Sequence, residues 1–472
     1  MAVTPAPAAP AVRKFRLRDV VEDPRILRML ALGFSSGLPL LLVLGTFTLR
    51  LADSKIDIRA IGLLSYVALP YSLKFLWAPL IDRLDVPWLA DRLGRRRAWM
   101  VVTQIAVAAC LSLMAFADPV EHLAFLAFGA LLVAFCAATQ DVVIDGWRID
   151  AAGTDLQGVM AATSNLGYRL GLILAGAGAL YIASATSWKV AYLTMAVFMS
   201  VGLAAALLEP RRDPAPGTEG AAPAPRPTWN FRDAVLEPLT ALYGRMGHAL
   251  WGVLLLVALF RLPDFLSGVL AGPLYISLGF TKNEIATVTK VYGIWVGIAG
   301  GFAGGWALNR LGMFPSLLIG AFVAAASHLS LAWLALGGAE IWRLVIAISI
   351  ENFCGSFAGI VLIAYMSSLT TPGHAATQYA LFSSLYALPG KLIAGTSGFV
   401  VGAFGFPVFF AMTAAVGIPV VALCFAVGRR TNLASAAAEA PEAPVPDPKR
   451  NPPGGPELAS VEVSASPMRA QT

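Results

Sequence analysis

The sequence predicts an all-α polytopic membrane protein, and three observations carry that prediction. The 472 residues are 57% apolar and only 13% charged, with a mean hydropathy of +0.71, whereas water-soluble domains hold about 25% charged residues. The apolar residues gather into windows of roughly 20 or more, long enough to cross a hydrocarbon core of about 30 Å at 1.5 Å per residue. None of these windows alternates in polarity over about ten residues, as the strands of a membrane barrel would. A water-soluble globule and a β-barrel are both excluded.

Reading the windows between punctuating residues gives twelve spans, at 26–51, 58–81, 98–117, 122–146, 157–183, 188–208, 249–277, 285–309, 313–336, 342–369, 376–403 and 406–428. Residues 1–24 open on an Ala/Pro tract and continue through Arg13, Lys14, Arg16 and Arg18 with no signal-peptide cleavage pattern, so they are expected to form a cytoplasmic N-terminal segment. An N-terminal six-helix half (25–208) is followed by a linker (209–248), in which a Pro/Ala/Gly stretch precedes Trp229 to Arg245, a short amphipathic helix by its pattern. A C-terminal six-helix half (249–430) follows. Residues 431–472, rich in Ala, Pro and Glu with little to bury, are expected to be a disordered tail.

Orientation follows from Lys and Arg. Arg13 to Arg28 before span one, Arg83 to Arg97 between spans two and three, Arg211 to Arg245 in the linker, and Arg429 and Arg430 after span twelve all lie on one side of an even-numbered topology. The other side holds a minority: Arg50, Lys55, Arg59, Lys189, Lys282 and Arg343. Positive-inside places both termini and the linker in the cytoplasm. The net charge of +6 thus reads as membrane orientation, with no nucleic-acid footprint. Cys110, Cys136, Cys354 and Cys424 all lie in apolar stretches without paired spacing, implying neither a disulfide framework nor a metal site. The histidines (His122, His248, His328, His374) are read as lying mostly at helix ends and are given no role. No Walker loop, metal spacing or nucleophile triad argues for an enzyme, and no cofactor is implied.

The two halves echo each other. Trp77-Ala78-Pro79-Leu80-Ile81-Asp82-Arg83-Leu84 closes span two as Gly304-Gly305-Trp306-Ala307-Leu308-Asn309-Arg310-Leu311 closes span eight, and Gly167-Tyr168-Arg169-Leu170 aligns with Pro389-Gly390-Lys391-Leu392. The loop Asp91-Arg92-Leu93-Gly94-Arg95-Arg96-Arg97 is similar to the cytoplasmic gating motif of the major facilitator superfamily, with Asp82, Arg83, Asp91, Arg92 and Arg95 as its charged positions. The resemblance implies a major facilitator fold of twelve transmembrane helices in two six-helix halves, with the substrate site between them near the midplane.

An ionisable side chain at mid-bilayer costs at least about 2.5–3.5 kcal/mol and so needs a partner, water or a role. Those inside the spans are Lys74, Asp141, Asp145, Arg169, Arg261, Asp264, Lys290, Glu351 and Lys391. Asp141 and Asp145 share one helix face with Gln140 beside them, and two carboxylates in a low-dielectric cavity cannot both ionise cheaply. Asp141, Asp145 and Glu351 are therefore the expected proton carriers, the alternative for Asp145 being an ion pair with Arg148. Lys74, Arg169, Lys290 and Lys391 suit an anionic cargo, because a desolvated carboxylate needs a fixed cation. Internal pairing of Arg169 with Asp141, or of Lys391 with Glu351, is the other reading. Arg261 and Asp264, three apart, are expected to pair with each other. A polar stripe through Asn352 and Ser356, and another through Gln378, Ser384 and Lys391, read as cavity linings. Gly37, Gly167, Gly171 and the glycines of 297–305 allow close helix approach or bending.

Several segments together resemble the AmpG muropeptide permeases, a branch of that superfamily. They are Leu32-Gly33-Phe34-Ser35-Ser36-Gly37-Leu38-Pro39-Leu40, Lys74-Phe75-Leu76-Trp77-Ala78-Pro79-Leu80-Ile81-Asp82-Arg83 with Gly94-Arg95-Arg96-Arg97, Phe135 to Asp145, Gly167-Tyr168-Arg169-Leu170-Gly171, Glu351-Asn352-Phe353-Cys354-Gly355 and Ala376-Thr377-Gln378-Tyr379-Ala380-Leu381. The resemblance implies proton-coupled import of N-acetylglucosaminyl-1,6-anhydro-N-acetylmuramyl peptides across the bacterial inner membrane for peptidoglycan recycling, which feeds β-lactamase induction where that system exists. Such a cargo carries amido sugars and peptide carboxylates, matching Arg169, Lys391, Lys74, Lys290, Gln140, Asn352 and Gln378 as substrate-binding residues. The expected partners are this anionic glycopeptide, protons and membrane lipid, with a monomer as the functional unit. The pattern departs at Lys391, where Arg is expected, and at Ser356, where Gly is expected. The competing readings are a major facilitator transporter of another organic anion, such as an acetyl-CoA-like one, or a drug efflux pump. A cationic-drug pump would show net acid in the cavity, whereas the cations here point to an anion.

Overall fold

The computed structural model describes residues 23–81, 84–151, 154–209, 237–370 and 375–438. Asp82 and Arg83, the cations at 13–18, most of the linker, His374 and the tail from 439 lie outside the described residues. All regular structure among the described residues is helical. Among the described residues, ten helices are long and apolar enough to cross a membrane: Pro24–Asp53, Arg95–Phe116, Leu123–Arg148, Val159–Ala185, Trp188–Leu207, Ala249–Ser277, Lys282–Leu311, Met313–Ala335, Ile341–Leu369 and Ser397–Gly428. Two broken runs, 58–81 and Ala375–Ala394, complete the expected order of spans. Residues up to Gly428 form one compact unit. Beyond it the helix continues to Ala438, whereas the sequence predicts disorder from 431; the alanine-rich run 434–438 has high helix propensity.

Because spans alternate in direction, each has one end beside the linker and one at the far side. Side-chain bonds mark both. At the linker end Arg28 pairs with Glu209 at 2.9 Å, Arg97 Nε donates to the carbonyl of Ala206 and Arg245 Nη2 to that of Leu369. At the far end buried Arg50 donates to the carbonyls of Met114 (2.9 Å) and Ala117 (2.7 Å), closing the last turn of span three.

Several boundaries differ from the sequence reading for local reasons. Span eight begins at Lys282, three residues early, because Thr281 and Glu284 form a reciprocal capping box. Span three begins at Arg95, directly after Gly94 at φ +82°, and span nine begins after Gly312 at φ +83°. Matching glycine turns at matching places support the internal repeat. Span two is helical only in pieces (58–64, 70–73 and 78–81, with 3-10 turns between), since Pro70 and Pro79 withhold backbone donors. Span one bends at Leu44, a turn after Pro39. Span eleven breaks at 395–396, and a further helical stretch ends at Gly405 (φ 78°, ψ 168°), where span twelve starts. The short helix Glu237–Met246 occupies the described part of the amphipathic linker segment.

Within each half, glycines bring backbones together. Span one presents Gly33 and Gly37 to the backbone of Ser164 and Tyr168, and span five answers with Gly167 and Gly171 against Leu30 and Phe34. In the C-terminal half Gly300 and Gly304 of span eight lie against the backbone of Phe353 and Phe357 of span ten. Each half is thereby a tightly packed body.

Candidate functional site

Among the described residues, hydrogen bonds and ion pairs between the halves gather at the far end and at mid-depth. Asp53 Oδ2 accepts from Trp188 Nε1 at 2.6 Å and pairs with Lys282 Nζ at 2.9 Å, so one carboxylate joins spans one, six and eight. Tyr181 and Thr287 share a hydrogen bond of 2.8 Å, and Tyr66 Oη donates to the carbonyl of Leu392 at 2.7 Å. These contacts close one end of the interface between halves.

Two charged cavities lie below that closure. The first, of about 360 Å³, is lined by Ser36, Lys74, Asp141, Asp145, Arg148 and Tyr168 among others. Asp141 accepts a very short hydrogen bond from Ser36 Oγ and stands 3.9 Å from Lys74 Nζ. Lys74 follows from the break in span two: its 3-10 turn, 74–76, lies against span four. The second cavity, of about 280 Å³, lies between the halves and is lined by Gly45, Thr48, Asp264, Lys290 and Lys391 among others. Lys391 Nζ donates to Ser72 Oγ of the other half at 2.8 Å. Lys290 arises from a π-helical turn, 286–292, and its stem packs towards Gly176 in a second π-helical turn, 174–178, of span five. Such turns are frequent at functional sites. A larger groove of about 930 Å³ between spans nine and twelve is lined only by apolar residues and lies away from these charges.

The structure thus brings Lys74 to Asp141, and Lys290 and Lys391 to one cavity. Other expected site residues fall differently. Arg169 is exposed on span five and lines neither cavity, because its helix turns Gly167 and Gly171 to span one and Ser164, Asn165 and Tyr168 to the first cavity. The pairing of Arg169 with Asp141 is replaced by Lys74, and that of Lys391 with Glu351 by Ser72. Asp145 is 58% exposed and pairs with Arg148 at 3.7 Å, the alternative weighed from sequence. Gln140 is fully buried and donates to Ser35 Oγ at 3.1 Å, and Gln378 is fully buried. Asn352 donates to the carbonyl of Ile348 in its own helix. Glu351 lies within electrostatic reach of Asp264, Lys290 and Arg261. Of the loop motif, Asp91 and Arg92 are exposed, with Arg92 stacked 4.1 Å over Trp88, and Arg95 pairs with Asp85 at 2.5 Å.

Arg261 and Asp264 pair at 3.4 Å as expected. Sequence reasoning missed what lies behind them. His328 is 1% exposed in the middle of span nine, with Nε2 3.3 Å from Ser267 Oγ and 3.9 Å from Asp264 Oδ1. It does not belong to a helix end. The available signal was an ionisable side chain deep inside an apolar window.

Residues 26–394 match the model of the Major Facilitator Superfamily. The chain is 34% identical over 402 residues to the anhydromuropeptide permease of Escherichia coli strain K12, covering 85% of this chain and 79% of the relative. It is 31% identical over 419 residues to a Rickettsia felis transporter named AmpG 4, covering 88% of this chain and all of the relative. Among solved structures, the nucleoside transporter NupG superposes with a TM-score of 0.62 at 16% identity, covering 85% of this chain and 98% of that one. The D-xylose–proton symporter superposes with a TM-score of 0.60 at 13% identity, covering 85% and 95%. At those identities the likeness is one of fold. With ten helices among the described residues long and apolar enough to cross a membrane, glycine-packed helix pairs and two charged cavities, the chain belongs to the Major Facilitator Superfamily and, within it, to the AmpG family of permeases.

Proposed function

We propose that this protein imports anhydromuropeptides across the bacterial inner membrane, driven by the proton gradient, for peptidoglycan recycling. The observation that carries the reading is the 34% identity that runs through 79% of the E. coli anhydromuropeptide permease. The cavities support it chemically: Lys290 and Lys391 offer ammonium groups to peptide carboxylates in a recess walled from the far side. Ser36, Asn165 and Thr48 add partners for amido sugars.

In this reading both termini and the linker are cytoplasmic, as the Lys/Arg distribution requires. The far end is then periplasmic, closed by Asp53, Lys282 and Trp188, and the protein is poised towards the cytoplasm. Cargo arrives when that closure opens, the two halves rocking about the site as rigid bodies. Asp141 carries a proton: protonation releases Lys74 from its 3.9 Å partner, and deprotonation restores the pair. A monomer holds the complete site.

The test is uptake of radiolabelled N-acetylglucosaminyl-1,6-anhydro-N-acetylmuramyl tripeptide into liposomes holding the purified protein, with and without an imposed pH gradient. Gradient-dependent accumulation is expected, and its absence with folded, correctly oriented protein rejects the reading. If Asp141→Asn leaves gradient-driven uptake intact while Glu351→Gln abolishes it, the proton passes through Glu351 instead.

A further inference from the structure

Span two runs past both charged cavities. Ser65 and Ala68 line the second, Lys74 lines the first, and between them 70–73 packs against span four on one side and span eleven on the other. Segment 70–76 is therefore the wall that separates the two recesses. The polar tie between this wall and the other half is the hydrogen bond from Lys391 Nζ to Ser72 Oγ, at 2.8 Å.

The wall is lightly held. A neutral hydroxyl is a weaker partner for an ammonium group than a carboxylate is. The acids nearby are engaged elsewhere, Asp141 beside Lys74 and Asp264 beside Arg261. Lys74, on the wall itself, is a second cation within electrostatic reach of Lys391. Next to Ser72, Tyr71 Oη is sealed from solvent and, among the described residues, has no hydrogen-bond partner. Such a group favours any position in which it finds one. The backbone allows the movement: Pro70 withholds a donor at the start of the segment, and the 3-10 turn 74–76 interrupts the helix at its end.

Size sets the requirement. Pockets for drug-sized ligands hold about 300–1,000 Å³, and a disaccharide carrying a tripeptide is larger than most such ligands. At about 360 and 280 Å³, neither cavity takes that cargo alone. We propose that the two cavities are parts of one cargo site, and that the Ser72–Lys391 hydrogen bond is a latch between them, which a cargo carboxylate opens by replacing the Ser72 hydroxyl at Lys391. The inference rests on the import reading above. The disaccharide lies with Ser36, Asn165 and Tyr168 in the first cavity, and the peptide crosses the displaced wall to bring its carboxylate to Lys391 in the second. Cargo that carries both sugar and peptide fills the joined site, whereas the sugar alone leaves the latch shut. Ser72 is thus a positioning residue: it holds Lys391 until an acid arrives.

The test is equilibrium binding of the same radiolabelled tripeptide, and of the radiolabelled peptide-free disaccharide, to the purified full-length chain in detergent. Ser72→Ala removes a bond that the tripeptide must displace, so tripeptide binding is expected to tighten by about fivefold, the factor carried by one such hydrogen bond. Disaccharide binding stays as in wild type. Lys391→Met is expected to weaken tripeptide binding by at least about tenfold. In the Lys391→Met background Ser72→Ala adds nothing, because the latch is already gone, whereas a merely structural role for Ser72 would act in both backgrounds. Unchanged or weaker tripeptide binding in folded Ser72→Ala overturns the proposal and leaves the import reading standing. A gain that is equal for the disaccharide, or that persists with Lys391→Met, does the same. Should Ser72→Ala not fold, Ser72→Cys carries the test, since a thiol is only a weak acceptor, and unchanged tripeptide binding there also overturns the proposal. If wild type does not bind the tripeptide, the import reading fails, and this inference fails with it.

Discussion

Contacts within a half and contacts between halves are made of different materials. Inside the N-terminal half, spans one and five meet backbone to backbone through Gly33, Gly37, Gly167 and Gly171, with no room for a Cβ on any of the four. Between the halves, spans meet chiefly through side chains: Asp53 with Lys282 and Trp188 and Tyr181 with Thr287 at the far end, and Tyr66 with the Leu392 carbonyl deeper in. Backbone packing has no alternative partner and does not come apart in steps. Side-chain hydrogen bonds exchange for water at a net cost of only about 1 kcal/mol each. The difference teaches how a transporter can hold two rigid bodies and still separate them. One place departs from the rule: Gly62 of span two lies against Gly395 and Gly398 of span eleven across the interface, a backbone contact suited to a pivot.

The largest expected effect comes from breaking the glycine packing. Gly37→Val puts side-chain atoms into the Tyr168 backbone, which overpacks by about 3 kcal/mol or more. Loss of monodisperse protein in detergent gel filtration is the expected result. Gly305→Ala, where a Cβ meets open space, should leave yield and melting temperature unchanged. Equal behaviour of the two variants would erase the distinction between packed and free glycines.

The far-end closure should yield more gently. Lys282→Ala removes one of the two groups on Asp53, and a loss of about 1–2 kcal/mol moves the conformational balance about 5- to 30-fold towards an open far end. Labelling of a Thr48→Cys reporter in the cavity by a membrane-impermeant maleimide from the far side measures this. Unchanged labelling would mean that the ion pair does not gate.

A smaller change is expected at mid-depth. Ser72→Ala removes one neutral hydrogen bond from Lys391, worth about 1 kcal/mol, so uptake should change by about fivefold at most while the fold is unaffected.

Smallest is the linker-end cap. Asp23 accepts from the Arg25 amide at 2.9 Å at the start of span one, and Asp23→Ala should cost about 0.5–1 kcal/mol in thermal stability. The Arg25 guanidinium holds the Asp23 carboxyl below its ordinary value of 3.8. A lowered carboxylate contributes its stability above that ordinary value and loses it as pH falls through the lowered one. Wild type and Asp23→Ala should therefore differ at neutral pH and converge in acid. A difference that persists at the lowest pH would place the effect elsewhere.

Much of the fold was legible because the evidence for it is local. Length of apolar run gives the spans, and the spacing of Gly33, Gly37, Gly167 and Gly171 already implies close helix contact. The charges of the site were legible as a set but not as pairs. Lys74 meets Asp141 only because span two breaks at Pro70 and Pro79, and Lys391 finds Ser72, a residue from the other half and 319 positions away. Arg169 was placed in the cavity by its depth in the membrane, yet its angle around the helix turns it out.

The sequence by itself determined the all-helical membrane class, the charge asymmetry and the family, since hydropathy, periodicity and motif order are properties of contiguous residues. Only the tertiary structure decided which charge neutralises which, that the far end is closed by Asp53, and that His328 and Ser267 stand behind Asp264. Those facts depend on which helices lie side by side and how each is rotated. A buried charge announces that it needs a partner, but packing chooses the partner.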